Sequence, residues 1–356
     1  MTYKQVRSIR EIDEARWDAV TGDYLHMSHR WLRATEACQR FYKPCYLLLE
    51  NKDGPYAAVL VNTSTAYQKK FGWLGWLYHR FNLVVRSPFS AMCSVLVKPG
   101  VCLDDVMPEM NAALNDLSRQ EKRLLITVGN VNTADLPSWQ KGGFQATPKA
   151  GVNMIDLPTT YEEYLASLPK KQQRELRRIY KRAADFDIHI EAGPLGNDSA
   201  EVYALLCEVF VKHGLSPHDI PFTTQFLDAL SAELPDEVSL IRGYSGDKLV
   251  GVSFHLLDGP RLLVPLVGLH YEIARPSLLY FVLMNEAIRW GIEHGYQQID
   301  IGMTNEREKR KQGFHLEERW VCHRAHIQPL NWAIKLASNL AQNNVALPPK
   351  LAKSKE

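Results

Sequence analysis

Apolar residues recur at intervals of three and four along one stretch in the last third of the chain. Leu278, Phe281, Val282, Ile288 and Ile292 form the stripe, Leu279, Leu283 and Trp290 widen it, and Asn285, Glu286, Arg289 and Glu293 lie opposite. This pattern predicts an amphipathic helix with Ser277 as N-cap and Gly295 as its stop. Before it, 262–270 reads as a strand, and Pro276 disfavours helical geometry at Arg275, which predicts an open loop between strand and helix. After it, 296–300 reads as a second strand, followed by a charged segment closed by Gly313 and Phe314. The loop of this strand–helix–strand unit feeds a helix N-terminus, where unpaired N–H groups and the helix dipole favour anions.

The preceding chain repeats that layout. Residues 3–9 read as a strand, 12–20 and 29–38 as helices, and 44–50 and 56–65 as strands joined by the hairpin signal Asn51-Lys52-Asp53-Gly54. A helix over 103–120, a strand over 123–128 and a polar segment ending in Gly143-Phe144 follow the order of the later unit. Two copies of one α/β module are therefore expected, the first structural or substrate-shaping because it lacks the later cationic cluster. Thr160 and Glu163 form a capping box, and 170–184 reads as a helix with Leu176, Ile179, Tyr180 and Ala183 on its buried face. Strands at 188–192, 238–244 and 249–257, helices at 199–214 and 222–232, and a final strand and helix at 320–327 and 330–343 complete the pattern. The expected division is a first module over 1–158, a connector helix over 159–184, a second module over 185–343 and a disordered tail over 344–356.

Composition narrows the class. A chain of 356 residues, 46% hydrophobic and 23% charged, suits a soluble globular protein with room for two domains, and a net charge of +2 names no partner. Cys38, Cys45, Cys93, Cys102, Cys207 and Cys322 show no paired CxxC spacing, which argues against a zinc ribbon or disulfide framework. With a charged start and no long apolar window, neither a secretory signal nor a membrane span is expected, and a cytoplasmic setting is. Local charge says more: seven basic side chains lie between Lys170 and Arg182 against the single Glu175. Either this is a solvated face, or an anion relieves the mutual repulsion.

The run from Gly268 to Phe314, GLHYEIARPSLLYFVLMNEAIRWGIEHGYQQIDIGMTNEREKRKQGF, carries a further signal in the order and spacing of its features. It resembles the CelD-like and Fem-like branch of the GNAT N-acyltransferase superfamily on Gly268, Tyr271, Ala274-Arg275, Ala287 to Ile292, Asp300 and Glu306 to Gly313. The resemblance implies tandem GNAT modules with mixed, mostly antiparallel sheets flanked by helices, and the 161–183 segment resembles the connector helix of that branch. It also implies an N-acyltransferase, with acyl-CoA or acyl carrier protein as donor, a primary amine as acceptor and no tightly bound cofactor. One departure stands out: coenzyme-A-binding relatives carry glycine in the phosphate loop, and none occurs between Gly268 and Gly291. A Fem-like aminoacyl-tRNA-dependent transferase is the alternative, and a noncatalytic binder of anionic surfaces a third.

Candidate chemistry follows from strand ends and charge. No phosphate-loop, dinucleotide, zinc-protease or nucleophile-elbow motif occurs, and His323 and His326 fall on opposite faces of a strand, so no metal is expected. Asp300, His270 and Glu306 are the general-base candidates. Lys309, Arg310 and Lys311, with Arg275 and Ser277, are the candidate donor-phosphate contacts, and Tyr271, Arg174 and Arg178 are candidate substrate contacts. Trp73, Trp76, Tyr78 and Phe81, near Lys69, Lys70 and Arg86, read as core, as an acyl-chain channel or as a peripheral contact at the inner membrane face.

Overall fold

The computed structural model describes residues 2–37, 42–65 and 72–345. Cys38, Lys69, Lys70 and the tail from residue 346 onward lie outside the described residues. Thirteen strands build one sheet: β1 (Thr2–Val6), β2 (Pro44–Asn51), β3 (Gly54–Asn62), β4 (Asn82–Val85), β5 (Val95–Val97), β6 (Leu125–Val131), β7 (Gln145–Asp156), β8 (Ile188–Pro194), β9 (Val238–Ser245), β10 (Lys248–Asp258), β11 (Arg261–Leu269), β12 (Gln298–Asp300) and β13 (His315–Ala325). Their spatial order is β1-β2-β3-β4-β6-β13-β7-β12-β11-β10-β9-β8, with β5 beside β3.

Two features of that order matter for function. The pairs β4/β6 and β11/β12 are parallel, and the other pairings along the path are antiparallel, so each half of the sheet carries one parallel step. The strands that close the two halves are exchanged: β7 pairs with β12, while β13 returns from the far end of the chain to pair with β6 and β7. Neither half completes its sheet without a strand from the other.

Three apolar cores follow from the alternation of the strands and the stripes of the helices. Helix Leu103–Gln120 lays Val106, Met110, Leu114 and Leu117 against β2, β3, β4 and β6. Trp17, Trp31, Phe222 and Phe226 join the first helices of the chain to β10. The long helix Leu279–Glu293 buries Leu279, Val282, Leu283, Ile288 and Ile292 under β9–β12, together with Ile179 and Ala183 of the basic helix Lys170–Ala184, whose Leu176 is buried as well. Its first turn sits hard on the sheet: a Cβ at Gly251 would stand 2.6 Å from a Leu279 methyl, and one at Gly243 2.8 Å from another. The Thr160 cap is present, with its hydroxyl accepting from the Glu163 N–H at 3.2 Å.

The structure departs from the expected elements in two places. Residues 271–277 are not an open loop but a short helix, Tyr271–Ser277, separated from the long helix by Leu278 alone in the left-handed region (φ 61°, ψ 26°). Its carbonyls find partners despite Pro276, since the Ser277 hydroxyl donates to Ile273 O at 2.7 Å and Arg182 donates to Pro276 O at 2.9 Å. Ser277 is therefore buried inside a helix and is not an N-cap. The aromatic run folds as helix Gly72–Phe81, with Trp73 69% and Trp76 46% exposed, so its large rings are surface and not core.

One buried group makes the core sensitive to acid. His255 on β10 is fully buried, within 3.0 Å of the Ser253 hydroxyl and beside the Trp290 ring, and burial pulls its pKa down to about 3. The unfolded chain takes up that proton below about pH 6.5 and the native state refuses it, so stability present near neutrality is lost on acidification. His255→Leu should remove about 2 kcal/mol of the wild-type loss between pH 7 and pH 5. Urea unfolding midpoints of both proteins at the two pH values measure this, and parallel losses would contradict a neutral buried imidazole.

Candidate functional site

The parallel pair β11/β12 lasts three residues, Arg261–Leu263 against Gln298–Asp300. Beyond it β11 runs on beside β10 to Leu269, while the chain after Asp300 turns away through Ile301 and Gly302. Where the strands part, β7 still holds Gly302 O through the Asn153 N–H at 3.0 Å and its side-chain amide at 2.7 Å, and a buried ammonium satisfies the Ile301 carbonyl. Lys309, 2% exposed, donates to Ile301 O at 2.5 Å and to Gly302 O at 3.3 Å, tying helix Glu306–Arg310 to the turn. Burial lowers its pKa to about 8, opposed by the charge of Asp300. Asp300 is buried, accepts the Gly302 N–H at 2.7 Å and has its pKa raised by that burial, with Arg319 and Lys309 pulling the other way.

Two cavities flank the segment from Asp300 to Gln312. One, of ≈ 260 Å³, opens where β11 and β12 part, with Val264, Pro265, Asp300 and Thr304 on one wall and Arg86, Ser90 and Met92, from the loop after β4, on the other. The second, of ≈ 310 Å³, lies between the basic helix, the start of the long helix at Leu278 and Phe281, and residues 307–312. Lys171, Arg178, Arg307 and Lys311 face it with Glu175 and Glu308. Arg178 pairs with Glu175 at 2.6 Å and Lys311 with Glu308 at 2.7 Å. Among the described residues, Lys171 and Arg307 have no ion-pair partner within 4.0 Å.

The candidate residues are therefore divided. Lys311 and Arg178 line the second cavity, as does Arg307, which stood within the recognised run but was not singled out. Lys309 is not a free phosphate contact, because the backbone carbonyls it satisfies hold it inside. Arg310 is exposed and paired with Glu306 on the surface, Arg275 is exposed on the short helix, and Ser277 is buried with its hydroxyl engaged. The three general-base candidates do not converge. His270 lies beyond the end of β11, seven residues or about 23 Å along the chain from the β11/β12 pairing, between Glu208 (3.0 Å) and Lys248 (3.1 Å). Glu306 is held by Arg310, leaving Asp300 alone in the cleft. Tyr271 lies under the Lys212 ammonium, Arg174 projects from the basic helix with no ion pair among the described residues, and Trp73 and Trp76 are exposed on the aromatic helix and line neither cavity. Among the described residues no group of three or more His, Cys, Asp and Glu side chains could hold a metal ion, and no helix is long and apolar enough to cross a membrane.

A family pattern described as peptidoglycan biosynthesis/recognition, FemAB-like, matches residues 8–348. The chain belongs to the FemAB-like family. Comparison with curated proteins finds no match. Among solved structures, FemX superposes with a TM-score of 0.59 at 10% identity, covering 94% of this chain and 100% of FemX. The C-terminal domain of a protein described as a lysylphosphatidylglycerol synthetase from Agrobacterium fabrum gives 0.58 at 11%, over 94% of this chain and 97% of that one. A tandem GNAT protein from the clavulanic acid biosynthesis pathway gives 0.53 at 11%, over 91% and 98%. At such identities the likeness is one of fold, and it gives this FemAB-like chain the tandem GNAT architecture that the Gly268–Phe314 run implied.

The buried position of Lys309 can be tested through stability. Lys309→Met should cost about 1–3 kcal/mol by leaving the Ile301 carbonyl unpaired, whereas Arg310→Ala and Arg275→Ala should stay within about 0.5 kcal/mol of wild type. Urea unfolding reads both, and a neutral Lys309→Met would mean that the ammonium is not needed to close the turn.

Proposed function

We propose that the protein is an amide-forming transferase of the Fem type, moving an aminoacyl group from a charged tRNA to a primary amine. The observation that carries this reading is the basic helix. Lys170, Lys171, Arg174, Arg177 and Lys181 are exposed and form no ion pair among the described residues. From Lys170 to Lys181 the helix runs about 17 Å, enough for several backbone phosphates and more than one pyrophosphate requires. The short helix Tyr271–Ser277 supports the same choice, since a helical segment without glycine stands where a coenzyme A donor would need close backbone approach.

The chemistry asks little of the protein beyond placement. The amine nitrogen attacks the ester carbonyl, the new C–N bond forms, the ester C–O bond breaks, and the proton shed by nitrogen ends on the departing ribose oxygen. Asp300, desolvated at the cleft, is the carboxylate suited to take that proton on its way. A second reading keeps acyl-CoA or acyl carrier protein as donor. It draws on the ≈ 310 Å³ cavity at the head of the long helix, where Lys171 and Arg307 could meet a single pyrophosphate.

Charge reversal at Lys171, Arg174 and Arg177, each to Glu, should weaken binding of charged tRNA at least tenfold near 0.15 M salt. It should also flatten the slope of log affinity against log salt by about 2–3. Fluorescence anisotropy across a salt series, with transfer assays supplying charged tRNA or acyl-CoA in parallel, decides between donors. Transfer from a thioester but not from charged tRNA, with an unchanged salt slope in the variant, would reject the tRNA reading. Binding with no transfer from any donor would leave a noncatalytic anionic-surface binder.

A further inference from the structure

We propose that the cavity at the parting of β11 and β12 seats the acceptor, and that the acceptor is a small zwitterionic group bearing a phosphate or carboxylate beside its amine. The amine's fate rests on the amide-forming reading above; the site for the anion rests on the cavity itself. Arg86 is the one cation and Asp300 the one carboxylate on the lining, and they come from opposite walls. Most charges around the cavity are already matched. Arg261 pairs with Asp258, Arg319 pairs with Glu317 at 2.8 Å, and Lys309 neighbours Asp300.

The exceptions are Arg86 on the lining and Lys149, which stands behind the lining close enough for Arg86 to act on its charge. Among the described residues, Arg86 has neither a hydrogen bond nor an ion pair, and Lys149 has only the amide oxygen of Asn130. Burial, and then the Arg86 charge, hold the Lys149 pKa down to about 8. Arg86 is open to solvent on the cavity lining, and desolvation lowers its pKa with Tyr78 opposing. Two neighbouring cations without a carboxylate repel until an anion joins them.

A second observation comes from His26. It lines the same cavity, is 2% exposed, and neither Nδ1 nor Nε2 has a hydrogen-bond partner. A neutral imidazole offers one donor and one acceptor, and leaving both unmade is unfavourable unless a ligand completes them. The wall carrying Arg86 is also firmly held. Asn130, which accepts from Lys149, donates to Ser90 O at 2.9 Å, and the buried Arg319 donates to Ala91 O at 3.4 Å and meets the Met92 sulfur at 3.3 Å. An anion at Arg86 and Lys149 would direct an attached amine across the ≈ 260 Å³ cavity toward Asp300.

Calorimetric titration of the full chain without any donor tests this, with phosphoethanolamine as the zwitterionic probe, ethanolamine and inorganic phosphate as its halves, and phosphatidylethanolamine vesicles as the lipid arm. Phosphoethanolamine, free or as headgroup, should bind at least tenfold more tightly than ethanolamine. Arg86→Met with Lys149→Met should remove that advantage, and Arg86→Lys should restore part of it. Asp300→Asn should weaken phosphoethanolamine while sparing inorganic phosphate. Response to the soluble probe or to vesicles alone names the source of the same chemistry. Absence of Arg86-dependent binding in both arms, with urea midpoints of the variants unchanged, overturns the proposal. Arg86-dependent binding with no transfer from any donor would keep this site and reject the transferase reading.

Discussion

Two parallel strands that share only three residue pairs cannot close the sheet between them, and the chain beyond that point is held by Asn153 of β7 on one side and by a buried ammonium on the other. Lys309 reaches back from helix Glu306–Arg310 to the carbonyl of Ile301, supplying the donor that a continued pairing with β11 would have supplied, and adds a longer bond to Gly302 O beside those from Asn153. A charge is tolerated there because it donates to two carbonyls and is neighboured by Asp300. The same turn places the Asp300 carboxyl on the lining of the cleft, where desolvation raises its pKa and makes the carboxylate a stronger base. The segment so fixed separates two cavities of different character, one bordered by the basic helix and one reached by the first half of the chain.

The strand exchange explains how residues distant in sequence meet there. Because β13 lies between β6 and β7, its Arg319 can hold the loop after β4 through Ala91 and Met92 while staying near Asp300. Arg86 leaves the end of the first parallel pair and Asp300 the end of the second, so the cavity is lined by the corresponding strand ends of both halves. The sheet of the first half thus brings charge to the cleft of the second, a larger part than a merely structural module would take.

Much of the fold was legible because it rests on periodicity and turn chemistry. The stripe from Leu279 to Ile292, the Thr160 cap, the Asn51 to Gly54 hairpin and the buried face of the basic helix are local properties and are found as the pattern implied, except that Asn285, read as part of the polar side, is buried and donates to the Tyr161 and Tyr180 hydroxyls. The site was less legible for physical reasons. Lys309, Arg310 and Lys311 are alike as letters, and only the turn at Gly302 decides that one points inward while the others pair on the surface. Pro276 argued for a loop, but Arg182 and the Ser277 hydroxyl supply tertiary and side-chain partners that local propensity does not count. The rings of Trp73 and Trp76 have the composition of a core, yet burial depends on what covers a helix and not on the helix alone. Arg86 and His26 carry no motif at all; their meaning lies in partners that are missing, which only three dimensions can reveal.

On the proposed reading, the two cavities divide the labour of discrimination. The basic helix attracts any polyanion, and such attraction is long-ranged and weakly selective. The cleft acts at contact distance, because a neutral ligand would leave Arg86 and Lys149 uncompensated and a simple cation would meet Arg86 on entry. A zwitterion matches both walls at once, its anion facing the first half of the chain and its amine facing Asp300. Selectivity would then arise from the separation of opposite charges across a cavity of fixed width, set by the Arg319 contacts on one side and by Lys309 on the other.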